Sequence, residues 1–206
     1  MSIMQPRIYL ASQSPRRREL LKQIGVHFEL LLLRSYSPGR VDVDETPHHN
    51  EAPDAYVQRV SQEKAQFGFD VLHLRRLRPY PVLAADTTVT LDGRIFGKPG
   101  DAKQAADMLR ELSGREHQVL TAVAIAMDQH IEVMLSSSTV RFTMLGEERI
   151  HRYVQTHEYA DKAGGYAIQG QAGAFIEHIA GSYSGVMGLP LFETVELLKR
   201  FNYPAP

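Results

Sequence analysis

The pattern of apolar and polar positions at the start of the chain predicts a strand, a helix and a second strand. Segments 7–11 and 28–33 are nearly continuous apolar runs, which is typical of buried strands. Between them, leucine and isoleucine side chains recur at helical spacing. Ser14 is a favoured N-cap residue, Pro15 suits the first helical position, and Gly25 ends the pattern. This β-α-β beginning predicts an α/β fold with a mixed or parallel sheet.

Helical and strand patterns alternate along the rest of the chain. Asp101 and Gln104 resemble a capping pair at the start of one helix, and Asp92-Gly93 is a hairpin turn signal. A short apolar strand is expected to end at Asp86-Thr87. The further predicted helices are 53–67, 101–112, 147–155 and 190–201. The further predicted strands are 82–85, 88–91, 94–96, 119–127, 132–144 and 174–179.

One long segment interrupts this alternation. Residues 34–53 are rich in Pro, Asp, Glu, His and Gly, which predicts an exposed loop that carries acidic side chains. Connections of this length in a compact domain are usually functional or disordered. Neither an internal repeat nor a Gly/Ser linker divides the chain, so residues 1–206 are expected to form one domain.

Composition narrows the class of ligand. The 206 residues are 43% hydrophobic and 23% charged, with a formal net charge of −1, so no global basic field favours DNA or RNA. A small phosphorylated ligand held by local charge fits better. The absence of cysteine excludes disulfides and thiol catalysis. Because the sequence contains neither a membrane-spanning apolar run nor a signal-peptide pattern, we expect a cytoplasmic protein.

The start of the first helix carries the clearest candidate for an anion site. Ser12 and Ser14 precede three consecutive arginines, Arg16 to Arg18, at the point where backbone N–H groups have no helical partner. Hydroxyls, guanidinium groups and the positive end of the helix dipole together favour phosphate. The alternative is an N-cap followed by a solvated basic turn.

Most other catalytic motifs are absent from the sequence. The segment from Gly93 to Pro99 is one residue short of a P-loop and has proline where a magnesium-binding Ser or Thr belongs, although Lys98 can still contact phosphate. Asp86, at the expected carboxyl end of a strand, is the best candidate for an oxygen ligand of a metal ion. Its alternative role is that of a turn aspartate that caps local amides.

Seven separated motifs nevertheless occur in the order seen in Maf proteins. They are S-x-S-P-R-R at 12–17, E-K-A at 63–65, A-D-T at 85–87, G-K-P at 97–99 with Asp101, D-K-A-G at 161–164, I-Q-G at 168–170 and G-L-P at 188–190. From about Ile8 to Phe201 the chain therefore resembles the Maf family. The resemblance implies a nucleoside triphosphate pyrophosphatase, expected to be a homodimer. The implied α/β fold is related to the inosine triphosphate pyrophosphatases, with a long curved mixed sheet, flanking helices and two lobes around a cleft.

The resemblance also implies roles for individual residues. Asp86 matches the catalytic proton acceptor of the family. Lys64 and Lys98 match catalytic cations of the cleft, and Ser12 and Arg17 match groups that bind the triphosphate. These residue types suit the chemistry, because negative charge accumulates on phosphate oxygens when water attacks phosphorus.

The implied cofactor is a divalent cation, Mg²⁺ or Mn²⁺. Glu45 matches an acidic residue that helps Asp86 to hold the metal. Because this chain has an extended segment before Glu45, Asp42 and Asp44 remain alternatives. Sequence leaves open whether Asp86 acts as base, as metal ligand or as both.

Three positions indicate the substrate within the family. Arg16, Thr87 and Gln169 match the type that acts on dTTP and UTP, and a glutamine amide can pair with the donor and acceptor edge of uracil or thymine. Two alternatives remain. One is the sister type that acts on 7-methyl-GTP, and the other is a nucleotide-sensing or nucleic-acid-binding regulator of septum formation. Retention of Asp86 with both lysines favours an enzyme over a sensor.

Overall fold

A computed structural model describes residues 7–33 and 43–204 and contains a seven-stranded mixed sheet with helices packed against it. The strands are β1 (Ile8–Leu10), β2 (Phe28–Leu30), β3 (Val82–Leu91), β4 (Arg94–Phe96), β5 (Glu116–Met127), β6 (His130–Phe142) and β7 (Ile176–Ala180). The helices are α1 (Pro15–Gln23), α2 (Pro53–Leu74), α3 (Ala102–Leu112), α4 (Glu147–Val154), α5 (Tyr183–Met187) and α6 (Leu191–Arg200). Two short 3-10 turns, 163–165 and 171–175, precede β7. None of the described helices is long and apolar enough to cross a bilayer.

The sheet combines a parallel edge with an antiparallel centre. Its order is β2-β1-β3-β5-β6-β7, and β4 pairs with β3 outside this path. β1 is parallel to both β2 and β3, whereas β3, β5, β6 and β7 are successively antiparallel. The mixed sheet of an α/β fold is therefore confirmed.

Alternation along β3 assigns its side chains to two separate cores. Val82 and Ala84 face α2 and pack with its apolar side chains, including Phe69. Leu83 and Ala85 point the other way, into a core formed with α1 and α6. By the same alternation, the side chains of Asp86 and Thr87 lie on opposite faces of the sheet.

The expectation that a strand ends at Asp86 is wrong. β3 runs through this position for 10 residues and pairs with β5 from Val82 to Thr90. The β-branched residues after Asp86 suit a strand, and the antiparallel partner provides hydrogen bonds along the whole length. The two segments predicted on either side of Asp86 are therefore one strand.

The opposite edge of β3 is paired only at its two ends. β1 pairs with β3 as far as Leu83, and β4 pairs with it from Val89 onwards. Within the described part of the chain, no strand pairs with β3 on this edge between these positions. Because β1 is parallel and β4 antiparallel to β3, the carboxyl ends of both short strands point into the gap. Asp86 lies at the middle of that gap, so strand ends do converge on it, although they belong to β1 and β4.

Helix α2 extends seven residues beyond the predicted end at Phe67, to Leu74. Gly68 resembles a helix breaker in the sequence, but here it allows close packing. A Cβ atom at this position would lie 2.8 Å from Val82 Cγ1. The glycine therefore brings α2 close to β3.

The starts of α1 and α3 follow short-range signals. Pro15 begins α1 as predicted, and the Asp101 side chain accepts a hydrogen bond from Gln104 N at 2.7 Å. The Ser14 side chain makes no capping hydrogen bond. Instead, Ser12 Oγ accepts a hydrogen bond from Ser14 N at 3.2 Å, so the first of the two serines shapes the turn. Ser14 is therefore the N-cap residue as predicted, but the expectation that its hydroxyl caps the helix is wrong.

Candidate active site

A cleft of about 760 Å³ opens at the gap beside the middle of β3. This volume lies within the range of small-molecule binding sites. Its walls come from the turn after β1, the N-terminus of α1, α2, β3, the segment after β4, the 161–166 segment and α5. The cleft contains eight of the nine side chains singled out in the sequence: Ser12, Arg16, Arg17, Glu45, Lys64, Asp86, Thr87 and Lys98.

Lys64 joins two carboxylates on the α2 side of the cleft. Its Nζ lies 2.8 Å from Asp86 Oδ1 and 2.8 Å from Glu45 Oε1. The Asp86 and Lys64 side chains are 11% and 16% exposed, so this ion pair is shielded from bulk water. Two acidic groups from distant parts of the chain thereby share one ammonium group at the centre of the cleft.

Glu45 interacts with a second lysine at the rim. Its Oε2 lies 3.8 Å from Lys98 Nζ, and both side chains are about half exposed. Burial alone would raise the pKa of Glu45, but the positive charges of Lys64, Lys98 and Arg17 outweigh it and lower the pKa below its ordinary value. Glu45 therefore remains ionised next to the two lysines.

The other acids considered as alternatives to Glu45 are placed differently. Asp44 is exposed, and its Oδ1 accepts a hydrogen bond from Thr46 N at 2.9 Å within its own loop. Asp42 lies outside the described residues. Of the described acids in this loop, Glu45 is the one that contacts the lysines of the cleft.

Arg17 is oriented by three segments of the chain. Its Nε donates to Gly188 O at 2.7 Å, its Nη1 donates to Ser12 Oγ at 3.4 Å, and its Nη2 donates to Thr87 Oγ1 at 3.2 Å. Gly188 has φ +113, a conformation that favours glycine. Burial lowers the pKa of Arg17, while the Asp86 carboxylate acts in the opposite direction. The guanidinium group still has N–H groups available for a ligand.

Thr87 and Arg16 also contact protein groups. The Thr87 side chain points to the face of the sheet opposite Asp86, where its Oγ1 lies 3.0 Å from Thr121 Oγ1. Thr121 in turn donates to Gly185 O at 2.8 Å. Arg16 Nε donates to Met187 O at 3.2 Å. Both side chains thus reach the segment around α5, on the side of the cleft away from Lys64.

The D-K-A-G motif closes one wall by packing tightly on β3. Gly164 has φ +68, and a Cβ atom there would lie 2.9 Å from Val89 Cγ2. Its N–H donates to Gly97 O at 3.1 Å, which joins this wall to the G-K-P segment. Lys162, from the same motif, lines the cleft, and burial together with nearby Arg16 lowers its pKa.

The end of the cleft near this wall is largely apolar, with Val89, Val119 and Val186 among its lining residues. Tyr166 lies here and shares a 2.8 Å hydrogen bond with Nε2 of the buried His117. Burial lowers the pKa of His117 to about 4, so its ring is neutral at physiological pH. The cleft thus has a charged end and an apolar end.

Two cleft residues were missed in the sequence, and one predicted residue lies elsewhere. Lys162 is part of the D-K-A-G motif but was assigned no role, and the only signal for Tyr166 was its proximity to that motif. Gln169 is absent from the described residues that line the cleft and lies in an exposed turn. This turn is anchored by Glu158, whose Oε2 accepts a hydrogen bond from Gln171 N at 2.9 Å.

The donor set on the α2 side fits a hard divalent cation. Asp86 and Glu45 converge on one positive group, and carboxylate oxygens are the ligands that Mg²⁺ prefers. Residues 7–33 and 43–204 contain no group of three or more His, Asp or Glu side chains that could hold a metal ion without other ligands. Mg²⁺ is commonly bound by one or two carboxylates together with substrate phosphates, so two protein ligands suffice.

Fold and cleft define an α/β protein whose cleft is charged at one end and apolar at the other. A family model described as Maf-like protein matches residues 7–201. The chain belongs to the Maf family, which confirms the resemblance found in the sequence.

Curated relatives match along nearly the whole chain. A protein of Aromatoleum aromaticum named dTTP/UTP pyrophosphatase is 55% identical over 99% of this chain and 100% of its own length. A protein of Nitrosospira multiformis with the same name is 55% identical over 97% and 96%. A protein of Haemophilus ducreyi named nucleoside triphosphate pyrophosphatase is 47% identical over 97% of both chains.

Among solved structures, the Ham1 protein of Staphylococcus aureus is similar to this chain. The TM-score is 0.50 with 15% identity, over 95% of this chain and 97% of that one. At this identity the likeness shows the fold alone.

Proposed function

We propose that this protein hydrolyses dTTP and UTP to the nucleoside monophosphate and pyrophosphate. The observation that carries the proposal is the Lys64 ammonium, 2.8 Å from both Asp86 and Glu45, in a cleft that also contains Arg17 and the N-terminus of α1. The names of the relatives with 55% identity support the same reaction and the same substrates.

The charged end of the cleft suits the triphosphate. Arg17 and Lys98 can bind phosphate oxygens, and the N–H groups at the start of α1 add a positive field. Negative charge grows on the bridging and pyrophosphate oxygens as the α–β anhydride bond breaks, and Lys64 can stabilise it in the partly buried site. These cations are held by the protein before substrate binds, so little reorganisation is needed.

Asp86 is proposed to accept the proton of the attacking water. Its Oδ1 contacts Lys64, and the other carboxylate oxygen can contact a water molecule aligned with the α-phosphorus. Asp86 and Glu45 would also hold Mg²⁺ or Mn²⁺, which neutralises phosphate charge when it is bound. Glu45 keeps Lys64 and Lys98 close together at the cleft.

The apolar end of the cleft is proposed to hold the base. Arg16 and Thr87 line the cleft and are proposed to contact the base, and Gln169 is proposed to approach it from its exposed turn. Uracil and thymine present two carbonyl acceptors on either side of an N–H donor, which an amide and a guanidinium can match. A 7-methylguanine base is larger and positively charged, so a neutral glutamine does not suit it.

We propose further that the chain works as one domain, as a homodimer and in the cytoplasm. The continuous sheet supports one domain, since β3, β5 and β6 connect all of the elements around the cleft. Membership of the Maf family supports the dimer, which light scattering after size-exclusion chromatography would test. The net charge of −1 supports nucleotides rather than nucleic acids as partners.

A nucleotide panel tests the proposal directly. Purified protein is assayed with dTTP, UTP, CTP, GTP and 7-methyl-GTP, in Mg²⁺, in Mn²⁺ and in excess chelator, and products are separated by ion exchange. Monophosphate and pyrophosphate, formed fastest from dTTP and UTP with a divalent cation, are expected. Preference for 7-methyl-GTP would indicate the sister type, and tight nucleotide binding without turnover would indicate a regulator. Release of single phosphates would overturn the proposal.

A further inference from the structure

Two side chains of α2 hold the backbone around Glu45. We refer to residues 43–52 as the acidic loop. Arg59 Nη1 donates to Asp44 O at 3.3 Å, and Arg59 Nη2 donates to Thr46 O at 3.1 Å. Between them, Tyr56 Oη donates to Glu45 O at 2.9 Å. Three successive carbonyl groups of the loop are therefore bound by two side chains one helical turn apart.

Arg59 is itself anchored at the end of the acidic loop. Its Nε and Nη2 contact the two carboxylate oxygens of Glu51 at 2.7 and 2.9 Å, a bidentate arrangement. Glu51 Oε2 also accepts a hydrogen bond from His48 N at 2.9 Å. The Arg59 and Glu51 side chains are 18% and 9% exposed, respectively. One guanidinium group thus connects α2 to both ends of the loop.

This arrangement places Glu45 and Lys64 on a common support. Lys64 belongs to α2, the helix that also carries Tyr56 and Arg59. The Glu45 side chain is 43% exposed, so its own packing restricts it little. Its backbone, by contrast, is held at the carbonyl of Glu45 and at the carbonyl on either side. The distance between the Glu45 carboxylate and Lys64 therefore depends on these hydrogen bonds.

We propose that Tyr56 and Arg59 are positioning residues for Glu45 in the hydrolysis reaction. Neither residue lines the cleft as the structure describes it, so both act through the loop. Fixing a charged group in advance lowers the reorganisation needed when substrate binds, and hydrogen-bonding partners behind ligating groups commonly contribute 10–100-fold to activity. The inference rests on the proposed function, because it assigns a task to Glu45.

Kinetics of three single variants give the first test. Arg59→Gln should lower kcat for dTTP about 10-fold or more and raise the Mg²⁺ concentration needed for half-maximal activity. Tyr56→Phe removes one hydroxyl and should lower kcat about 5-fold. Because both variants keep Arg17 and Lys98, KM for dTTP should change by a smaller factor than kcat in each of them. The matched control is Arg110→Gln, which removes another bidentate arginine–glutamate pair, with Glu147, away from the cleft and should leave kcat unchanged.

A double variant separates positioning from general stability. In a Glu45→Gln protein, adding Arg59→Gln should reduce kcat less than about 2-fold further, because the group that Arg59 positions is already impaired. A full additional 10-fold loss would show that Arg59 acts independently of Glu45 and would overturn the proposal.

Hydrogen exchange provides a readout that does not depend on activity. In metal-free and nucleotide-free protein, Arg59→Gln should speed exchange in the peptide covering residues 43–52, while exchange in β3 and β5 stays as in wild type. If the wild-type protein released no pyrophosphate, the proposed function would fail, yet this measurement would still report on the loop. Unchanged exchange in the loop, or kcat values within 2-fold of wild type for both α2 variants, would overturn the inference.

Discussion

Replacing Asp86 by asparagine tests the centre of the site with the smallest change in shape. The variant keeps an oxygen that can accept a hydrogen bond from Lys64, but it loses the charge and the ability to take a proton from water. If Asp86 is the general base, kcat should fall at least about 100-fold, because a positioned base typically contributes 10²–10⁴-fold. A 100-fold loss corresponds to about 2.7 kcal/mol in the activation barrier.

The expected effect on stability is smaller. The Asp86 to Lys64 hydrogen bond is 2.8 Å long and both side chains are mostly buried, so a charged pair of this kind contributes about 1.5–3 kcal/mol. The hydrogen bond from the Lys64 ammonium to an amide oxygen is weaker than one to a carboxylate, and Lys64 keeps Glu45 as a partner. We therefore expect a net loss of about 1 kcal/mol, or about 2–4 °C in Tm for a domain of this size.

The assay measures pyrophosphate release from dTTP at saturating Mg²⁺, alongside thermal unfolding of the same preparations. Asp70→Asn is the matched control, since Asp70 is an exposed acid of the same helix that carries Lys64 and accepts a hydrogen bond from Gln66 at 2.8 Å. The control should retain wild-type kcat. If Asp86→Asn kept kcat within about 10-fold of wild type while folding normally, Asp86 would not be the base.

Three further predictions concern the core and the base. Burial lowers the pKa of His117 from 6.5 to about 4, so below pH 6.5 the unfolded chain binds a proton that the folded chain does not, and stability falls as the pH drops towards 4. Between pH 7 and pH 4, the free energy of unfolding measured by chemical denaturation should fall by about 3 kcal/mol more for wild type than for His117→Gln. Equal decreases in the two proteins would contradict a neutral buried ring. Gly68→Ala should destabilise the protein by about 1 kcal/mol or more, since its Cβ would lie 2.8 Å from Val82 Cγ1 and overpacking exceeds the gain in helix propensity. A higher Tm would show that α2 can move away from β3 without loss. Gln169→Glu should reduce kcat/KM for dTTP more than for 7-methyl-GTP, and an unchanged ratio would mean that Gln169 does not read the base.

Signals within a few residues predicted local structure well. Asp92-Gly93 forms the hairpin turn with φ values of 52 and 76, as the residue types require. The Asp101 cap is present, because its partner is only three residues away. These features depend on backbone conformations that a few neighbouring side chains determine.

Features that depend on distant partners were harder to predict. The two strands expected on either side of Asp86 are one strand because β5 pairs along both, and β5 begins about 25 residues after β3 ends. The end of α2 was predicted seven residues too early, because the close contact of Gly68 with Val82 cannot be read from the local sequence. Helix α5 was not predicted, because its five residues are too few to show the periodic apolar pattern of a helix.

Most members of the candidate site could be predicted from the sequence, but the contacts between them could not. Family motifs indicated Lys64, Asp86 and Glu45, and the structure brings their charged groups together. Tyr56 is a buried residue of its helix, and nothing in the local sequence indicated that its hydroxyl binds Glu45 O. That contact depends on the path of the acidic loop, which periodicity does not specify.

The hydrogen bond from Arg17 to Gly188 spans 171 positions and has a consequence for biosynthesis. The ribosome synthesises Gly188 171 residues after Arg17, so the guanidinium group lacks this anchor while the intervening chain is being made. An incomplete chain that stops before Gly188 can still carry Asp86, Lys64 and Glu45, but it lacks a carbonyl that orients Arg17. We therefore expect that chains terminated before Gly188 hydrolyse nucleotides poorly, because their Arg17 lacks the carbonyl that orients it.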